Sequence, residues 1–270
     1  MPPSSADLPG DLRERMDFAI AAARAAGDRT QAHFLKPSLE IERKRDGTQV
    51  TIADREAESL LRRTIVERYP NDGILGEEHG ETEGTSGMRW ILDPIDGTAS
   101  FVCGVPLYSN LVALEKDGRA LVGVIHLPAL GETVYAGRGM GAWHVVGEGP
   151  ARRARVSNVA HLRDAVVCTT SLDYFVRAGV EELFSPLQAS CALFRGWSDA
   201  YAAVLVATGR ADALVEPKVA IWDVAAVQVV VEEAGGRYSD FRGGADLNAG
   251  NGVASNGHVH RDLERLVGLA

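Results

Sequence analysis

Cysteine is scarce in this sequence, and it has no long apolar run. The three cysteines stand far apart at positions 103, 168 and 191 of 270 residues. Their odd number and wide spacing argue against a disulfide framework or a zinc knuckle and fit a reducing compartment. No apolar run approaches the roughly 18 residues that a membrane span needs, so we expect no membrane partner. The opening residues MPPSSADLPGDLRERM lack the apolar core of a secretion signal, which predicts a cytoplasmic protein.

An excess of basic residues is also missing. The chain has 28 basic and 37 acidic residues, which gives a formal net charge of -9. Nucleic acids are held through their phosphates by basic surface, so this balance argues against a nucleic-acid partner. An anionic substrate would need local help, and cations bound by carboxylates are one source of it.

Helical and strand patterns alternate along the chain, and this predicts a layered α/β fold in two halves. The predicted helices span 12–34, the stretch opened by the capping box Thr51–Asp54, and the segments beginning near Asp199 and Asp223. The predicted strands include 89–92, a hairpin around Asp117-Gly118, and segments near 133–136, 165–170 and 211–215. The polar stretch 147–155 suggests a boundary between an N-terminal half, 1–148, and a C-terminal half, 149–270. His258 and His260 are expected on the surface.

Three acidic stretches stand out from this pattern. They are Gly76-Glu77-Glu78, the run WILDPIDGT that contains Asp93 and Asp96, and Ile221-Trp222-Asp223. Taken singly, they fit an acidic loop, a tight turn and a helix cap. Taken together, they fit a magnesium site, because each Mg²⁺ takes only one or two protein carboxylates besides water and substrate phosphate. In the same run the carbonyl of Ile95 is a further oxygen ligand, and the amides of Gly97 and Thr98 suit a phosphate.

The combination of GEE, WILDPIDGT and WDVAA resembles the inositol monophosphatase-like, magnesium-dependent phosphatases. The resemblance runs from about Val50 to Ser255. It implies a layered αβαβα sandwich of the inositol monophosphatase/fructose-bisphosphatase type, a homodimer, and hydrolysis of a small phosphomonoester.

The resemblance also implies a role for individual residues. The metal ligands would be Glu77, Asp93, Asp96, Asp223 and the Ile95 carbonyl, and they would hold two or three Mg²⁺ ions. Glu77 and Thr98 would position and deprotonate the attacking water, with Asp54 as a further catalytic acidic residue. Gly97 and Thr98 would hold the phosphate, and Lys44 falls near a basic position of the family.

The segment RGWSDAY bears on the substrate. It resembles the histidinol-phosphatase members of the family, which carry an acidic residue at the position of Asp199. A carboxylate facing the leaving group suits an ammonium, which histidinol has and inositol lacks; Glu216 matches another substrate position. The alternative is that Asp199 only caps its helix.

The function predicted from these residues is hydrolysis of histidinol phosphate in histidine biosynthesis. An inositol-1-phosphate phosphatase, or a phosphatase of broad sugar-phosphate range, is the alternative. A regulatory or scaffold protein on the same fold is a more distant one.

Overall fold

Helices and strands alternate along the chain, as the sequence predicts. A computed structural model describes residues 12–37, 39–43, 49–197 and 199–268, and Lys44 lies outside them. The helices are Leu12–Gln31 (α1), Ile52–Arg68 (α2), Thr98–Val102 (α3), Leu172–Ala178 (α4), Phe184–Ser190 (α5), Asp199–Ala207 (α6), Ile221–Glu233 (α7) and His260–Val267 (α8). The strands are Ile41–Arg43 (β1), Gln49–Thr51 (β2), Gly73–Gly76 (β3), Gly80–Thr82 (β4), Met88–Asp96 (β5), Ser109–Lys116 (β6), Arg119–Leu127 (β7), Glu132–Gly137 (β8), Gly141–Val146 (β9), Arg152–Arg153 (β10), Val166–Cys168 (β11), Leu193–Arg195 (β12), Ala213–Glu216 (β13), Arg237–Ser239 (β14) and Gly252–Ser255 (β15).

Two sheets organise these elements, and β1 and β2 form a separate two-stranded ribbon. The larger sheet has the strand order β10-β9-β8-β7-β6-β5-β3-β4. Strand β3 pairs parallel with β5, and the other pairs of neighbouring strands in this sheet are antiparallel. The smaller sheet has the order β12-β11-β13-β15-β14, with β11 parallel to both of its neighbours.

Three helical layers cover the faces of these sheets. Helices α1 and α2 pack on one face of the larger sheet, against side chains such as Trp90 and Leu92. Ile91, which points to the opposite face, packs in a core that includes α6 and α7 and the inner residues of the smaller sheet. Helices α5 and α8 cover the outer face of the smaller sheet, against Val215 and Val253. The layer order is therefore αβαβα, as the resemblance implies.

Local signals in the sequence are confirmed where they set an element's start or a turn. Thr51 caps α2 in a capping box with Asp54. The turn between β6 and β7 has positive φ at both Asp117 (+53°) and Gly118 (+76°), as the hairpin prediction requires. Other elements differ in length: α7 begins at Ile221, two residues earlier than predicted, and β5 continues beyond Leu92 to Asp96.

Two other expectations have different outcomes. The division at 148 stays a prediction; β10, which follows it, pairs with β9 at the edge of the larger sheet. His258 is exposed as expected, but the surface expectation for His260 is wrong. His260 is fully buried, because Ser255 and Ser239 hydrogen-bond its two ring nitrogens at 2.8 and 2.9 Å and satisfy it away from water.

Candidate active site

The end of β5 turns two carboxylates to the same side. In a regular strand Asp93 and Asp96 would face opposite ways, because they are three residues apart. The pairing of β5 with β6 instead shifts register between them, which marks a bulge. Pro94 fits there, since proline is tolerated in a sheet at a bulge. Both carboxylates are buried, with residue exposures of 2% and 6%.

Helix α7 brings the third carboxylate. Asp223 is the third residue of this helix, and its Oδ2 accepts a 2.7 Å hydrogen bond from the backbone N–H of Ala220. It therefore caps the helix from inside rather than from its N-cap position. Asp93, Asp96 and Asp223 each offer a carboxylate oxygen, and these oxygens lie within 4.8 Å of one another.

Glu77 approaches this cluster from the turn after β3. Its backbone N–H donates to the carbonyl of Leu92 at 3.3 Å, which holds the turn against β5. Glu77 lines the same cavity as the three aspartates but is not part of the 4.8 Å group. Its charge helps to raise the pKa of both Asp93 and Asp223.

Burial and mutual repulsion dominate the electrostatics of the cluster. Burial raises the pKa of Asp93 and Asp96 well above the ordinary range, and neighbouring carboxylates raise it further. Burial is also the largest cause for Asp223, whose pKa rises to about 7. Asp93 Oδ1 is buried with no hydrogen-bond partner in the described part of the chain. Crowded, unsatisfied oxygens fit a hard divalent cation, which would supply the missing positive charge.

Asp54 is the third residue of α2 and interacts electrostatically with Glu77, but it is not among the described residues that line the cavity. Its Oδ2 accepts hydrogen bonds from the backbone and hydroxyl of Thr51 at 2.7 and 2.6 Å. Its Oδ1 is buried with no hydrogen-bond partner among the described residues. Burial is the main cause that raises the pKa of Asp54 to about 6, and Glu77 contributes.

Gly97 and Thr98 form the turn from β5 into the five-residue helix α3. Gly97 is the N-cap residue with φ of +79°, a left-handed conformation in which a side chain is disfavoured. The Thr98 hydroxyl donates a 3.0 Å hydrogen bond to the Ile95 carbonyl. Ile95 and Thr98 both line the cavity. A backbone carbonyl has two lone pairs, so the bond from Thr98 does not by itself exclude a ligand on the Ile95 oxygen.

Asp199 faces this turn from the start of α6. It has φ of +56°, which Asp tolerates better than most residues. Its Oδ2 lies 3.1 Å from the point that a Cβ on Gly97 would occupy. The first amide after it, Ala200 N–H, bonds to Asp96 Oδ2 at 2.8 Å, so Asp96 rather than Asp199 caps that amide.

Glu216 completes the predicted set at the end of β13. One carboxylate oxygen accepts a 2.5 Å hydrogen bond from the Thr170 hydroxyl, and the other is buried without a partner in the described residues. Burial raises the pKa of Glu216 well above its usual range. It lines the same cavity of 680 Å³ as the acidic cluster.

Several residues that line the cavity belong to no motif recognised in the sequence. They include three cationic side chains and an aromatic ring, namely Arg43, Arg177, Lys218 and Tyr174. Burial raises the pKa of Tyr174 to about 12, and Asp199 and Glu216 add to this effect. No local motif marks these residues, because they come from short elements and loops that meet only in the folded chain.

The layered fold and the acidic cavity are those of a phosphatase. Comparison with known proteins agrees with this class. The model of the inositol monophosphatase family matches residues 11–268. The chain belongs to that family, whose members are generally metal-dependent. The solved structure of the extragenic suppressor protein suhB from Bartonella henselae superposes with a TM-score of 0.85 at 32% identity, covering 94% of this chain and 98% of that one.

Curated relatives include histidinol-phosphatases and an inositol-1-monophosphatase. A histidinol-phosphatase of Chlorobaculum parvum is 41% identical over 94% of this chain and 96% of its own length. One from Mycobacterium tuberculosis is 42% identical over 91% and 95%. An inositol-1-monophosphatase of Mesorhizobium japonicum is 34% identical over 93% and 95%. The relatives support a phosphatase activity for this chain, with a small phosphate ester as the substrate class.

Proposed function

We propose that this chain is a magnesium-dependent phosphomonoesterase that converts histidinol phosphate and water to histidinol and phosphate. The observation that carries the substrate is the position of Asp199, whose carboxylate stands against the Gly97 turn. A leaving group attached to a phosphate at that turn would meet this negative charge. An ammonium gains from such a contact, whereas a neutral polyol does not.

The metal ligands we propose are Glu77, Asp93, Asp96, Asp223 and the Ile95 carbonyl, which line one cavity. This number of carboxylates exceeds what one Mg²⁺ uses, which supports two or three ions. Bound Mg²⁺ supplies Lewis acidity, which makes a water more acidic and offsets charge on the phosphate. Glu77 and Thr98 would position that water and Glu77 would accept its proton, with Asp54 as a further catalytic acidic residue. The amides of Gly97 and Thr98 would hold the phosphate.

Glu216 supports the same substrate class. Its second oxygen is buried and without a partner among the described residues, in a cavity that also contains Asp199. Two carboxylates would give the leaving-group side of the cavity a negative character, which suits a cationic alcohol.

An inositol-1-phosphate phosphatase, or one of broad sugar-phosphate range, is the second candidate. The Mesorhizobium relative favours it, and so do the hydrogen-bonding groups of Thr170, Lys218 and Arg177 around the cavity. A homodimer, a cytoplasmic location and a regulatory role remain predictions from the sequence. Among the described residues, no helix has the length and apolar character needed to cross a membrane.

The deciding experiment measures phosphate release from histidinol phosphate and from inositol 1-phosphate under identical conditions, with and without Mg²⁺. We expect Mg²⁺-dependent turnover of both, with the larger kcat/KM for histidinol phosphate. A larger kcat/KM for inositol 1-phosphate would make the second candidate correct.

A further inference from the structure

One face of α2 carries two acidic side chains and an arginine at intervals of one helical turn. Asp54, Glu58 and Arg62 are four residues apart in sequence, which stacks their side chains along the helix. Asp54 interacts electrostatically with Glu77, as described above. The Glu58 side chain has no exposed surface, and Arg62 is 16% exposed.

Glu58 binds the turn that carries Glu77. Its Oε2 accepts a 2.7 Å hydrogen bond from the backbone N–H of Glu78, and its Oε1 accepts one of 3.1 Å from that of His79. The His79 ring nitrogen Nδ1 is 3.3 Å from the same Oε1. Two consecutive amides that follow Glu77 are thus fixed by one buried carboxylate.

Arg62 binds the far side of the same turn. Its Nε donates to Glu58 Oε1 at 2.7 Å, and its terminal nitrogens donate to the Gly80 carbonyl and, at 3.2 Å, to the Thr82 hydroxyl. The guanidinium therefore balances the buried charge of Glu58 and holds the start of β4 at the same time.

Gly76 supplies independent support for the importance of this contact. A Cβ at Gly76 would lie 2.1 Å from Glu58 Oε1, far inside van der Waals contact. The last residue of β3 must therefore be glycine for the Glu58 carboxylate to reach the two amides.

We propose that Glu58, held by Arg62, is a positioning residue for Glu77. The pair fixes the turn between β3 and β4, so that the Glu77 carboxylate faces Asp93, Asp96 and Asp223 and metal affinity is high. This inference rests on the proposed metal-dependent function. It gives α2 two roles, since Asp54 interacts electrostatically with Glu77 and Glu58 orients the turn that carries Glu77.

The test measures Mg²⁺ binding by isothermal titration calorimetry in the absence of substrate. Glu58→Gln keeps the volume but replaces one acceptor oxygen with a donor, so one of the two turn amides loses its partner. We expect the Mg²⁺ dissociation constant to rise about 10- to 100-fold, the range for residues that orient metal ligands. The Mg²⁺ concentration for half-maximal activity should rise in parallel, while kcat at saturating Mg²⁺ stays close to wild type.

Glu233 offers a matched control. Its two carboxylate oxygens accept hydrogen bonds of 2.9 and 2.8 Å from the backbone of Gly139 and Gly141, so it also holds a turn. It lies ten residues after Asp223 on α7, about 15 Å along the helix. Glu233→Gln should lower the unfolding temperature as Glu58→Gln does, but it should leave Mg²⁺ binding unchanged.

A second variant covers the case in which Glu58→Gln folds poorly. Arg62→Lys keeps a positive charge beside Glu58 but loses the forked grip on Gly80 and Thr82, so we expect a several-fold weaker Mg²⁺ affinity. Wild-type affinity in both the Glu58 and Arg62 variants would overturn the positioning role. An equal loss in the Glu58 and Glu233 variants would also overturn it, because the effect would then be general. Absence of Mg²⁺ binding by the wild-type protein would overturn the proposed function itself.

Discussion

The backbone N–H of Ala200 donates a hydrogen bond of 2.8 Å to Oδ2 of Asp96, across 104 positions of sequence. The Ser109 hydroxyl donates to the same oxygen at 2.9 Å. One carboxylate thus contributes to the acidic cluster and also holds the first turn of α6, where Asp199 lies. Hydrogen bonds to Asp96 therefore connect the proposed metal site with the helix that carries the proposed substrate contact.

Neutralising one aspartate of the acidic cluster should abolish turnover without unfolding the protein. Asp93→Asn and Asp223→Asn conserve volume, and an Asn at 223 can still accept the hydrogen bond from Ala220. The loss of several kcal/mol of charge stabilisation corresponds to a rate reduction of more than about 100-fold. Without Mg²⁺, both variants should unfold at the same temperature as wild type or higher, because carboxylate repulsion is relieved. Steady-state kinetics and thermal unfolding check this, and near-normal activity would contradict the metal site.

Removal of the Thr98 hydroxyl should act on the transition state. If the hydroxyl orients the attacking water, Thr98→Ala lowers kcat far more than it changes KM. Thr98→Ser retains the hydroxyl and should keep most of the rate. Full kinetic curves for the three proteins separate these effects. A change confined to KM would assign Thr98 to holding the phosphate alone.

Asp199→Asn should discriminate between substrates. Asn tolerates a φ of +56° and keeps the size of the side chain, so the backbone of α6 is preserved while the charge is lost. A charged hydrogen bond contributes about 1.5 to 3 kcal/mol, which predicts a fall of about 10- to 100-fold in kcat/KM for histidinol phosphate. Inositol 1-phosphate never used that charge and should be hydrolysed as before. Equal losses on both substrates would contradict the ammonium contact.

His126 should make the folded state sensitive to mild acid. It lies in β7, 8% exposed, with its Nδ1 2.9 Å from the Thr133 hydroxyl. Burial lowers the pKa of His126 from 6.5 to about 4, and Arg24 contributes. The His126 side chain is therefore protonated below about pH 6.5 in the unfolded chain, but only below about pH 4 in the folded chain. This contribution to stability is full above pH 6.5 and is lost as the pH falls to 4, by about 3 kcal/mol.

Urea unfolding from pH 7.5 to 4.5 tests the role of His126. His126→Asn should remove the His126 contribution, so its stability at pH 4.5 relative to pH 7.5 should be higher than that of wild type. His258→Asn, at an exposed histidine, should leave the slope unchanged. A wild-type slope in the His126 variant would show that other groups cause the acid sensitivity.

Short-range signals account for the parts of the fold that the sequence predicted well. The capping box at Thr51 and the Asp117-Gly118 turn satisfy backbone groups within four residues, so neither depends on the rest of the chain. The sequence predicts too short a β5 because Asp-Pro normally ends a strand, whereas here Pro94 lies in a bulge. The sequence does not predict the burial of His260, because its hydrogen-bond partner Ser239 is 21 positions away.

The candidate site is likewise predictable from the sequence only in part. Its acidic residues could be selected from motifs, but the distances between them are set by the packing of α7 on the larger sheet. The roles of Glu77, Thr98, Asp199 and Glu216 remain predictions. Glu58 and Tyr174 had no distinguishing motif, because a glutamate in a helix usually faces solvent and a lone tyrosine is usually core.

The position of α7 between the two sheets has a consequence for thermodynamic linkage. Asp223 stands at one end of this buried helix, while Asp93 and Asp96 come from the sheet beneath it, so the complete set of oxygens exists only when the layers are assembled. The unfolded chain has no equivalent site. Free energy from a bound cation must then appear as global stability that rises with the logarithm of cation concentration, by about 2.7 kcal/mol at 100 times the dissociation constant. Calorimetric scans in increasing Mg²⁺ should accordingly show one transition that moves upward as a whole, rather than a stabilised part melting apart from the remainder.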